Sequence, residues 1–400
     1  MTQIAILGFG NIGSGVAEML MRNAKYIREA VGDDIAIKYV LDKRDLTGSG
    51  YEDCAVKSMQ DILSDPSVSI VCEMMGGTTP AFEFSLAALK AGKSVVTSNK
   101  AVVAKHGVEL LAAAKENGVH YLYEASVGGG IPILHAFDDS LKGCRIDRID
   151  GILNGTTNYI LTRMHDCGSS FEDALDEAKR LGYAESDPTA DVSGADTCRK
   201  ICILAALAWG KLVNSDTVYC EGITEMREEH NAFAASCGGA LKLVATAKRS
   251  ESAPPILSVS PCVVMEENPL SSVKGVFNAV KVAAGDMGDL MFYGMGAGKF
   301  PTAGAVISDI LAVLRRKDDT DGYCFFTDNT CELSAYDKTK QAYCVKVKAD
   351  RKALDAMPFT YTLLKEENGD VYFLVEDITK QDLDAALGGV SVLMCMRAIV

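Results

Sequence analysis

A glycine-rich turn between a short apolar run and a helical pattern is the feature that most constrains how this 400-residue chain folds. The apolar run covers Thr2–Leu7, and the turn that follows reads GFGNIG from Gly8 to Gly13. Gly8 permits the tight turn, Gly10 lets main-chain N–H groups approach a pyrophosphate, and Gly13 allows helix and strand to pack closely. Such a match is weak alone, but a strand before it and a helix after it are what a dinucleotide-binding turn requires. The sequence therefore predicts a Rossmann-type domain at the start of the chain.

The second predicted strand, Ile35–Leu41, is followed by one acidic residue and two basic ones. Asp42 lies beyond the usual distance of about 20 residues from the glycine turn, which a longer first helix explains. An acid there suits a free ribose 2′-hydroxyl, whereas a neighbouring Lys43 or Arg44 suits a 2′-phosphate. Because the basic pair is equally consistent with solvated loop charges, the sequence leaves NAD and NADP open.

Three more apolar runs of strand length follow, with helical patterns between them, at Val68–Met75, Ser94–Ser98 and His120–Glu124. In a parallel sheet the C-terminal ends of the strands meet at one edge, where ligands bind. We therefore expect Gly76, Lys100 and Glu124 to line the same crevice as the glycine turn. A lysine in an apolar cleft can hold an anionic group, and the simpler alternative for Lys100 is a surface loop position.

A second region begins after Val127–Pro132, where three consecutive glycines mark a change of chain direction. The predicted elements here are a strand at Arg145–Leu153 and a helix from Ser193 or Gly194 to Trp209. This helix carries Asp196 and Lys200 one turn apart on one face. For an arbitrary helix, such a pair would be a surface salt bridge of little energetic consequence.

Charge, apolar runs and cysteine usage narrow the class of protein. With 40 Lys and Arg against 54 Asp and Glu, the net charge of −14 argues against a nucleic-acid partner, which requires clustered basic residues. The uncharged stretch Ser252–Met265 is shorter than the roughly 20 apolar residues of a membrane span and contains three prolines. The N-terminus lacks a secretory signal, so we expect the mature protein to begin at Met1. The 13 cysteines without CxxC pairs and the five histidines without HExxH spacing predict reduced thiols in a cytoplasmic protein without a structural zinc site.

Six motifs, in order along the chain, resemble those of the homoserine dehydrogenase family. They are Gly8–Gly13, Ser98–Ala101, Glu124–Pro132, Gly151–Ile160, Gly182–Lys200 and Tyr293–Thr302. Several of them are long and chemically unusual, so the resemblance is far more specific than a GxGxxG turn alone. It implies reversible hydride transfer between a nicotinamide cofactor, NADP or NAD, and L-aspartate 4-semialdehyde. The product is L-homoserine, a branch point toward threonine, isoleucine and methionine.

The resemblance also implies which residues carry the reaction. Lys200 matches the family's proton donor, Asp196 would bind substrate and tune that lysine, and Asp191 matches a further catalytic carboxylate. Glu185 would bind the substrate ammonium group, and Lys100 would lie between nicotinamide and substrate. Such a reaction needs a proton donor beside the developing alkoxide and charged groups around an amino-acid zwitterion.

Further positions follow from the same motifs. The implied substrate site also includes Gly155, Thr156 and Tyr183. The implied cofactor site comprises Gly8, Gly10, Asn11, Ile12, Gly13, Asp42, Arg44, Gly76, Lys100, Gly182 and Gly298. A sodium-type monovalent cation is implied at Glu124 with the main-chain carbonyls of Val127, Gly129 and Ile131, an all-oxygen set that suits a hard cation. We expect this cation to hold the junction loop in shape.

The overall expectation is an α/β protein of three domains that acts on a small molecule as a homodimer. The domains are a Rossmann-type NAD(P)-binding domain at 1–130, completed by a helix near 301–316, an α+β substrate-binding and dimerisation domain at 131–300, and a small ACT-like βαββαβ domain at 335–400. The predicted strands of the last are Ala342–Lys348, Phe359–Leu364, Val371–Glu376 and Val390–Ile399. The glycine that usually closes the amino-acid site of an ACT domain is absent, because the chain reads Ala349-Asp350-Arg351 there. Two roles therefore stay open for this domain. It is either a degenerate domain kept for packing or dimerisation, or a domain that binds threonine in feedback inhibition.

Two alternatives stay open at this point. Another Rossmann oxidoreductase acting on a small amino acid or aldehyde would share Gly8–Gly13 but would not need Asp196 together with Lys200. A nucleotide-sensing protein that has lost catalysis would be expected to carry a broken middle motif, whereas this pair is intact.

Overall fold

The computed structural model of the protein describes residues 1–250, 253–316 and 331–400. The chain forms two compact units. The first comprises the described residues of 1–144, 202–213 and 294–330, and the second comprises those of 145–201, 214–293 and 331–400.

Strands and helices alternate through the first third of the chain, and long strands dominate the remainder. The strands are β1 (Thr2–Leu7), β2 (Ile35–Leu41), β3 (Ala55–Val56), β4 (Val68–Glu73), β5 (Ser94–Thr97), β6 (Tyr121–Leu122), β7 (Arg148–Ile152), β8 (Tyr219–Cys220), β9 (Gly239–Lys248), β10 (Ile256–Met265), β11 (Phe277–Ala283), β12 (Asp289–Met295), β13 (Gln341–Lys348), β14 (Thr362–Glu367), β15 (Asp370–Ile378) and β16 (Ser391–Ile399). The helices are α1 (Asn11–Arg22), α2 (Ala24–Val31), α3 (Met59–Leu63), α4 (Ala81–Lys90), α5 (Lys100–Glu116), α6 (Ile133–Asp138), α7 (Gly155–Cys167), α8 (Phe171–Arg180), α9 (Thr189–Val192), α10 (Ala195–Trp209), α11 (Glu228–Ser236), α12 (Lys299–Arg315), α13 (Arg351–Asp355) and α14 (Lys380–Ala386).

The first unit is built on a parallel sheet with strand order β3-β2-β1-β4-β5-β6. Parallel strands are covered by helices on both faces, which is why β4 and β5 read as nearly continuous apolar runs and are almost entirely buried. The order reverses at β1, and this 3-2-1-4-5-6 arrangement is that of the Rossmann fold. The predicted Rossmann-type sheet is therefore confirmed.

Helix α12 returns from late in the sequence to pack against α1 in the same unit. A Cβ atom on Gly15 of α1 would lie 2.9 Å from Lys299 Cγ and 3.2 Å from Ala303 Cβ. The two helices therefore approach so closely that a larger residue in place of Gly15 would displace α12.

Three element boundaries in this unit differ from the sequence prediction. Helix α1 begins at Asn11, inside the glycine turn and not after it, because Gly10 already takes the extended N-cap conformation. Strand β4 ends at Glu73, since the chain leaves the sheet at Met74. The last strand is only two residues long, because Glu124 enters a single 3₁₀ turn.

The second unit is built on a mixed sheet with strand order β12-β11-β7-β9-β10-β16-β13-β15-β14, and β8 also pairs with β10. Its centre is the antiparallel pair β9 and β10, in which every residue of β10 is buried. Ile152, Val244, Val264 and Leu270 form part of an apolar cluster on this sheet. The observed architecture is thus a parallel Rossmann-like sheet and a separate mixed sheet.

The C-terminal segment runs β13-α13-β14-β15-α14-β16, the βαββαβ order predicted from the sequence. Val345, Leu354, Phe373 and Leu383 are buried in its own apolar cluster. Strand β16 also pairs in parallel with β10, so this segment continues the sheet of the second unit.

One strand of this segment was predicted in the wrong place. The prediction was Phe359–Leu364, whereas β14 covers Thr362–Glu367. Phe359 and Tyr361 lie before the strand, and their rings contact that of Phe373 at centroid distances of 6.1 and 5.4 Å. Apolar character therefore marked side-chain packing here and not strand pairing.

Within residues 1–250, 253–316 and 331–400, no helix has the length and apolar character to cross a membrane. The cysteines of the same residues form no disulfide with one another.

Candidate active site

The glycine turn at the C-terminal end of β1 is held by close main-chain contacts in the first unit. Gly8 has a positive φ of 89°, and a Cβ atom on it would lie 2.8 Å from the Met74 carbonyl oxygen. A Cβ atom on Gly13 would lie 2.1 Å from the Gly8 carbonyl oxygen. At Gly10 the nearest group is the Arg44 guanidinium, 3.7 Å away, so space remains beside the backbone. Two of the glycines therefore shape the turn, and the third leaves its backbone accessible.

A cavity of about 700 Å³ opens at this turn. Gly8, Gly10, Asp42, Arg44 and Gly76 line it. Of the three residues expected beside the glycine turn, only Gly76 lines this cavity. Lys100 is not among its lining residues, and Glu124 lines a separate cavity with Gly130 and Pro132. Asn11 and Ile12 form the first turn of α1, whose N-terminus carries the partial positive charge that stabilises a phosphate. The cavity lies where the strand order of the sheet reverses, which is where Rossmann folds bind a dinucleotide.

Asp42 is nearly buried, with 8% of its side chain exposed, and accepts several hydrogen bonds. The Phe9 N–H donates to Oδ2 over 2.5 Å, and Arg44 donates to Oδ1 from its main chain over 2.8 Å and to Oδ2 from its guanidinium over 2.7 Å. The Arg44 guanidinium thereby holds the pKa of Asp42 well below its ordinary value. Asp42 is an anion that already has donors on both oxygens.

Lys100 is the first residue of α5 and is partly buried. Its position is fixed by Asn99, whose side chain caps α5 and donates to the carbonyl oxygens of Met75 and Gly77 over 3.2 and 2.7 Å. The sequence prediction placed Lys100 near Gly76, and Asn99 links the loops in which both lie.

Glu73, at the end of β4, was missed by the sequence analysis. Its carboxyl is fully buried and accepts from Thr97 Oγ1 over 2.6 Å and from the Met75 N–H over 2.7 Å. Burial raises the pKa of Glu73. A charged residue at the end of an otherwise apolar strand was the available signal.

Glu124 belongs to a buried cluster with His135 and Asp309. Its carboxylate accepts the N–H groups of Leu134 over 3.0 Å and His135 over 2.6 Å, in the first turn of α6. The Glu124 N–H donates to Asp309 Oδ2 over 2.9 Å, and His135 Nε2 lies 3.2 Å from Asp309 Oδ1. Burial, together with the nearby Asp309, raises the pKa of Glu124 to about 7.

The predicted cation ligands lie on one tightly packed loop. Val127 and Ile131 are buried, and a Cβ atom on Gly129 would lie 2.5 Å from the Gly296 carbonyl oxygen. The Ile131 carbonyl accepts the Ile133 N–H over 2.8 Å. In the part of the chain that the structure describes, no group of three or more His, Cys, Asp or Glu side chains is arranged to hold a metal ion. The donors available on this loop are thus main-chain oxygens.

In the second unit, Lys200 and Asp196 form a buried ion pair. Lys200 is 7% exposed and Asp196 is 1% exposed, and Nζ lies 2.8 Å from Oδ2. Lys200 Nζ also donates to the Leu153 carbonyl over 2.7 Å. A surface salt bridge, the simpler interpretation of the sequence, is therefore excluded by burial.

Asn154 joins both predicted catalytic carboxylates and was missed by the sequence analysis. Its Nδ2 donates to Asp191 Oδ1 over 2.7 Å and to Asp196 Oδ2 over 3.0 Å. Its Oδ1 accepts the Thr157 N–H over 2.9 Å and so caps α7. A single side chain therefore starts a helix and positions two carboxylates.

Three of the other predicted substrate residues, Gly155, Thr156 and Tyr183, lie at the same helix start. Gly155 packs so closely that a Cβ atom would lie 2.7 Å from the Val276 carbonyl oxygen. Thr156 is buried and donates to the Tyr183 carbonyl over 2.7 Å. Glu185 is exposed in the loop between α8 and α9.

Two predicted cofactor glycines lie at helix ends. Gly182 is exposed just after α8 with a φ of 77°, and it belongs to the second unit. Gly298 is the N-cap residue of α12 with a φ of 125°, and it belongs to the first unit. Both backbone conformations favour glycine.

Comparisons with known proteins match this chain along most of its length. The family model described as "Homoserine dehydrogenase" matches residues 132–311, and that described as "Homoserine dehydrogenase, NAD binding domain" matches residues 8–124. A homoserine dehydrogenase of Synechocystis is 43% identical over 319 residues, which cover 78% of this chain and 73% of that protein. One of Bacillus subtilis is 41% identical over 317 residues, which cover 78% and 73%.

Solved structures give the same result. A homoserine dehydrogenase of Thiobacillus denitrificans is 32% identical with a TM-score of 0.88, covering 100% of this chain and 98% of that one. A hyperthermophilic archaeal homoserine dehydrogenase, solved in complex with NADPH, is 29% identical with a TM-score of 0.67, covering 79% and 98%.

Proposed function

The chain belongs to the homoserine dehydrogenase family, and from this membership we propose how its residues divide the work of the reaction. The enzyme reduces L-aspartate 4-semialdehyde reversibly to L-homoserine with a nicotinamide cofactor. Family membership favours neither another Rossmann oxidoreductase nor an inactive nucleotide-sensing protein. The observation that carries the assignment of roles is the buried Lys200–Asp196 pair.

The first unit is proposed to hold the dinucleotide. The accessible backbone at Gly10 and the N-terminus of α1, with Asn11, Ile12 and Gly13, fit a pyrophosphate. When bound, the nicotinamide cofactor supplies or accepts the hydride. Gly76, Lys100, Gly182 and Gly298 are proposed to complete its binding site.

Lys200 is proposed to transfer the proton. During reduction the aldehyde oxygen gains negative charge and takes up a proton, so an ammonium group beside it acts as a general acid. Asp196, 2.8 Å from Nζ, favours the charged ammonium form. The Leu153 carbonyl fixes the direction of Nζ from a second side. In the reverse direction the neutral Lys200 amine accepts the proton from the homoserine hydroxyl and becomes the ammonium group again.

The carboxylates are proposed to bind and orient the amino-acid part of the substrate. Exposed Glu185 can reach the substrate ammonium group, and Asp191 and Asp196 are held by Asn154. Lys100 is proposed to contact substrate next to the nicotinamide. Gly155, Thr156 and Tyr183 are proposed to shape the wall of the substrate site; their mutual contacts support a rigid wall.

NADP is proposed as the preferred cofactor. Both Asp42 oxygens already accept N–H donors, which disfavours their use by a ribose 2′-hydroxyl. Lys43, Arg44 and Lys57 line the same cavity and supply the positive charge that a 2′-phosphate requires. The NADPH complex of the archaeal relative is consistent with this preference.

A monovalent cation of sodium type is proposed at the loop after Glu124. Because α6 already uses the Glu124 carboxylate, Glu124 would contribute its main-chain carbonyl, as Val127, Gly129 and Ile131 would. Such a donor set consists of neutral oxygens, which suits a monovalent hard cation. The cation would stabilise the loop and take no part in hydride transfer.

A homodimer and an ACT-like C-terminal domain complete the proposal. Exposed Tyr293 on the edge strand β12 and exposed Met287 just before it offer apolar surface for a symmetric contact. The sheet order β16-β13-β15-β14 supports an ACT-like domain. Asp350 caps α13 where an effector-binding ACT domain has glycine, so a packing role is favoured over threonine binding.

The activity is tested by supplying purified protein with L-homoserine and either NAD or NADP at alkaline pH. Reduction of the nicotinamide is followed by its absorbance. We expect turnover with at least one cofactor and a higher kcat/KM with NADP. Absence of reduction with both cofactors would contradict the function itself, whereas a preference for NAD would contradict only the proposed role of Arg44.

A further inference from the structure

A cavity of about 220 Å³ in the second unit carries charged groups that the reaction does not use. It lies on one face of β7, β9 and β10, next to β13, β15 and β16 of the C-terminal segment. Its charged lining side chains include Arg148, Lys248, Lys340, Glu376, Asp377 and Arg397. Cations are thus concentrated at a junction within a protein whose net charge is −14.

Two of these cations face each other across neighbouring strands. Arg148 of β7 and Lys248 of β9 are direct partners in the antiparallel register. Like charges directly opposite each other destabilise a sheet. Arg148 is compensated by Asp150 at 2.7 Å, whereas Lys248 forms no ion pair within the described part of the chain. Exposed Lys248 therefore brings to the cavity a positive charge that no carboxylate of the described residues pairs.

Arg397 adds a third positive charge to the lining of the cavity. It is only 5% exposed, and its guanidinium donates to the hydroxyls of Ser258 over 2.8 Å, Ser260 over 3.2 Å and Thr246. It forms no ion pair with a carboxylate of the described residues. Buried charges are normally paired, because hydrogen bonds to neutral groups only partly replace the lost hydration. Asp150, whose negative charge also acts on Arg397, already pairs with Arg148, so an anion in the cavity would add the negative charge that these cations share too little of.

We propose that this cavity binds a small anion with a carboxylate or phosphate group, between Arg148 and Lys248 and in front of Arg397. Paired and planar donors of an arginine suit either group, and the lysine adds a point charge. Lys340 already pairs with Asp377 at 2.9 Å, and Glu376 adds a negative charge to the lining. These acids disfavour a large polyanion, so the proposed ligand is compact.

The test is thermal unfolding of the full chain at constant ionic strength, with chloride replaced stepwise by inorganic phosphate or, separately, by malonate. A ligand that binds only the folded state raises the Tm with a saturable dependence on concentration. We expect such a rise with at least one probe and a dissociation constant at least tenfold larger for Lys248→Gln. Lys25→Gln, whose side chain is 82% exposed on α2, is the matched control and should behave like wild type.

Phosphate could also bind at the glycine turn and raise the Tm. Such binding would be the same in wild type, Lys248→Gln and Lys25→Gln, so a difference between these proteins reports on the cavity alone. A second readout comes from the probe-free state: Lys248→Gln removes one of two opposed cations, so its Tm should equal or exceed that of wild type. Saturating probe should reverse that order. The proposal is wrong if neither probe gives a saturable rise beyond chloride, or if Lys248→Gln keeps the wild-type dissociation constants for both probes. It is also wrong if Lys25→Gln weakens binding as much.

Discussion

Lys200 Nζ lies 2.8 Å from Asp196 Oδ2 in a part of helix α10 that is almost closed to solvent. Water screens a surface pair and leaves it worth little, whereas a buried pair must be held by further polar groups. The Leu153 carbonyl and the Asn154 amide supply them. The ion pair is therefore held in place by hydrogen bonds from its surroundings, on a helix whose other buried residues are mostly apolar.

Lys200→Ala is predicted to lower kcat by roughly 100-fold to 10,000-fold, the usual contribution of a general acid. Cofactor affinity should remain near wild type, because the glycine turn is unaffected. Steady-state kinetics with both cofactors and a fluorescence titration of NADPH measure the two effects. Lys211→Ala, an exposed position beyond α10, is the control. Turnover near the wild-type rate would remove Lys200 from its proposed role.

Asn154→Ser tests a positioning residue. Serine retains an N-cap acceptor for α7 but lacks the amide that donates to Asp191 and Asp196. We expect kcat to fall about 10- to 100-fold, since small misplacements of reacting groups are costly, with a change of less than about 1 kcal/mol in unfolding free energy.

The matched control for that variant is Asn214→Ser, because Asn214 caps a short 3₁₀ turn in the same way. The pH dependence of kcat should change only in Asn154→Ser, where two carboxylates lose a shared donor. An unchanged kcat and pH profile, with lowered stability, would show that Asn154 only caps the helix.

Arg44→Ala is predicted to reverse or remove the proposed preference for NADP. Loss of one charge-assisted contact to a 2′-phosphate corresponds to about 1.5–3 kcal/mol, or roughly a 10- to 100-fold fall in kcat/KM with NADP. Activity with NAD should be retained or raised, since Asp42 loses its guanidinium partner and can accept a ribose hydroxyl. The ratio of kcat/KM for the two cofactors is the measurement, with exposed Lys90→Ala as control. An unchanged ratio would refute the assignment.

Local sequence signals were sufficient for much of the Rossmann half. Thr2–Leu7 and Ile35–Leu41 were predicted with the observed bounds, because each is a largely apolar run of strand length that ends at turn residues. The spacing of Asp196 and Lys200 placed them on one helix face, since i and i+4 are neighbours. Each of these signals involves residues of a single helix, strand or turn.

Contacts between residues far apart in the sequence could not be predicted from such local signals. Asn154 meets Asp191 and Asp196 across 37 and 42 residues, and its side chain looked like an ordinary helix cap. Likewise, Glu124 meets Asp309 across 185 residues, so nothing local distinguished Asp309 on α12. Phe359 illustrates the converse, because its apolar side chain packs on a strand without belonging to one.

Lys242 gives a pH-dependent prediction that is independent of catalysis. It is 3% exposed, and Nζ donates to the Val273 carbonyl over 2.5 Å and to Asn158 Oδ1 over 3.3 Å. Burial lowers the pKa of Lys242 from 10.5 to about 8. The unfolded chain therefore binds this proton more tightly than the folded protein does, and the bound proton destabilises the fold.

The sign follows from that difference. Below pH 8 the penalty is complete, at roughly 3 kcal/mol, and it disappears as the pH rises from about 8 toward 10.5, so this group makes stability increase over that window. Lys242→Met keeps the stem and lacks the charge, and Asn158 Nδ2 still donates to the Val273 carbonyl over 3.2 Å. Urea unfolding at pH 7.5 and 9.5 should show a larger alkaline gain in wild type than in Lys242→Met. Lys352→Met, at an exposed position, should retain the wild-type gain; equal gains in all three proteins would mean that Lys242 titrates normally.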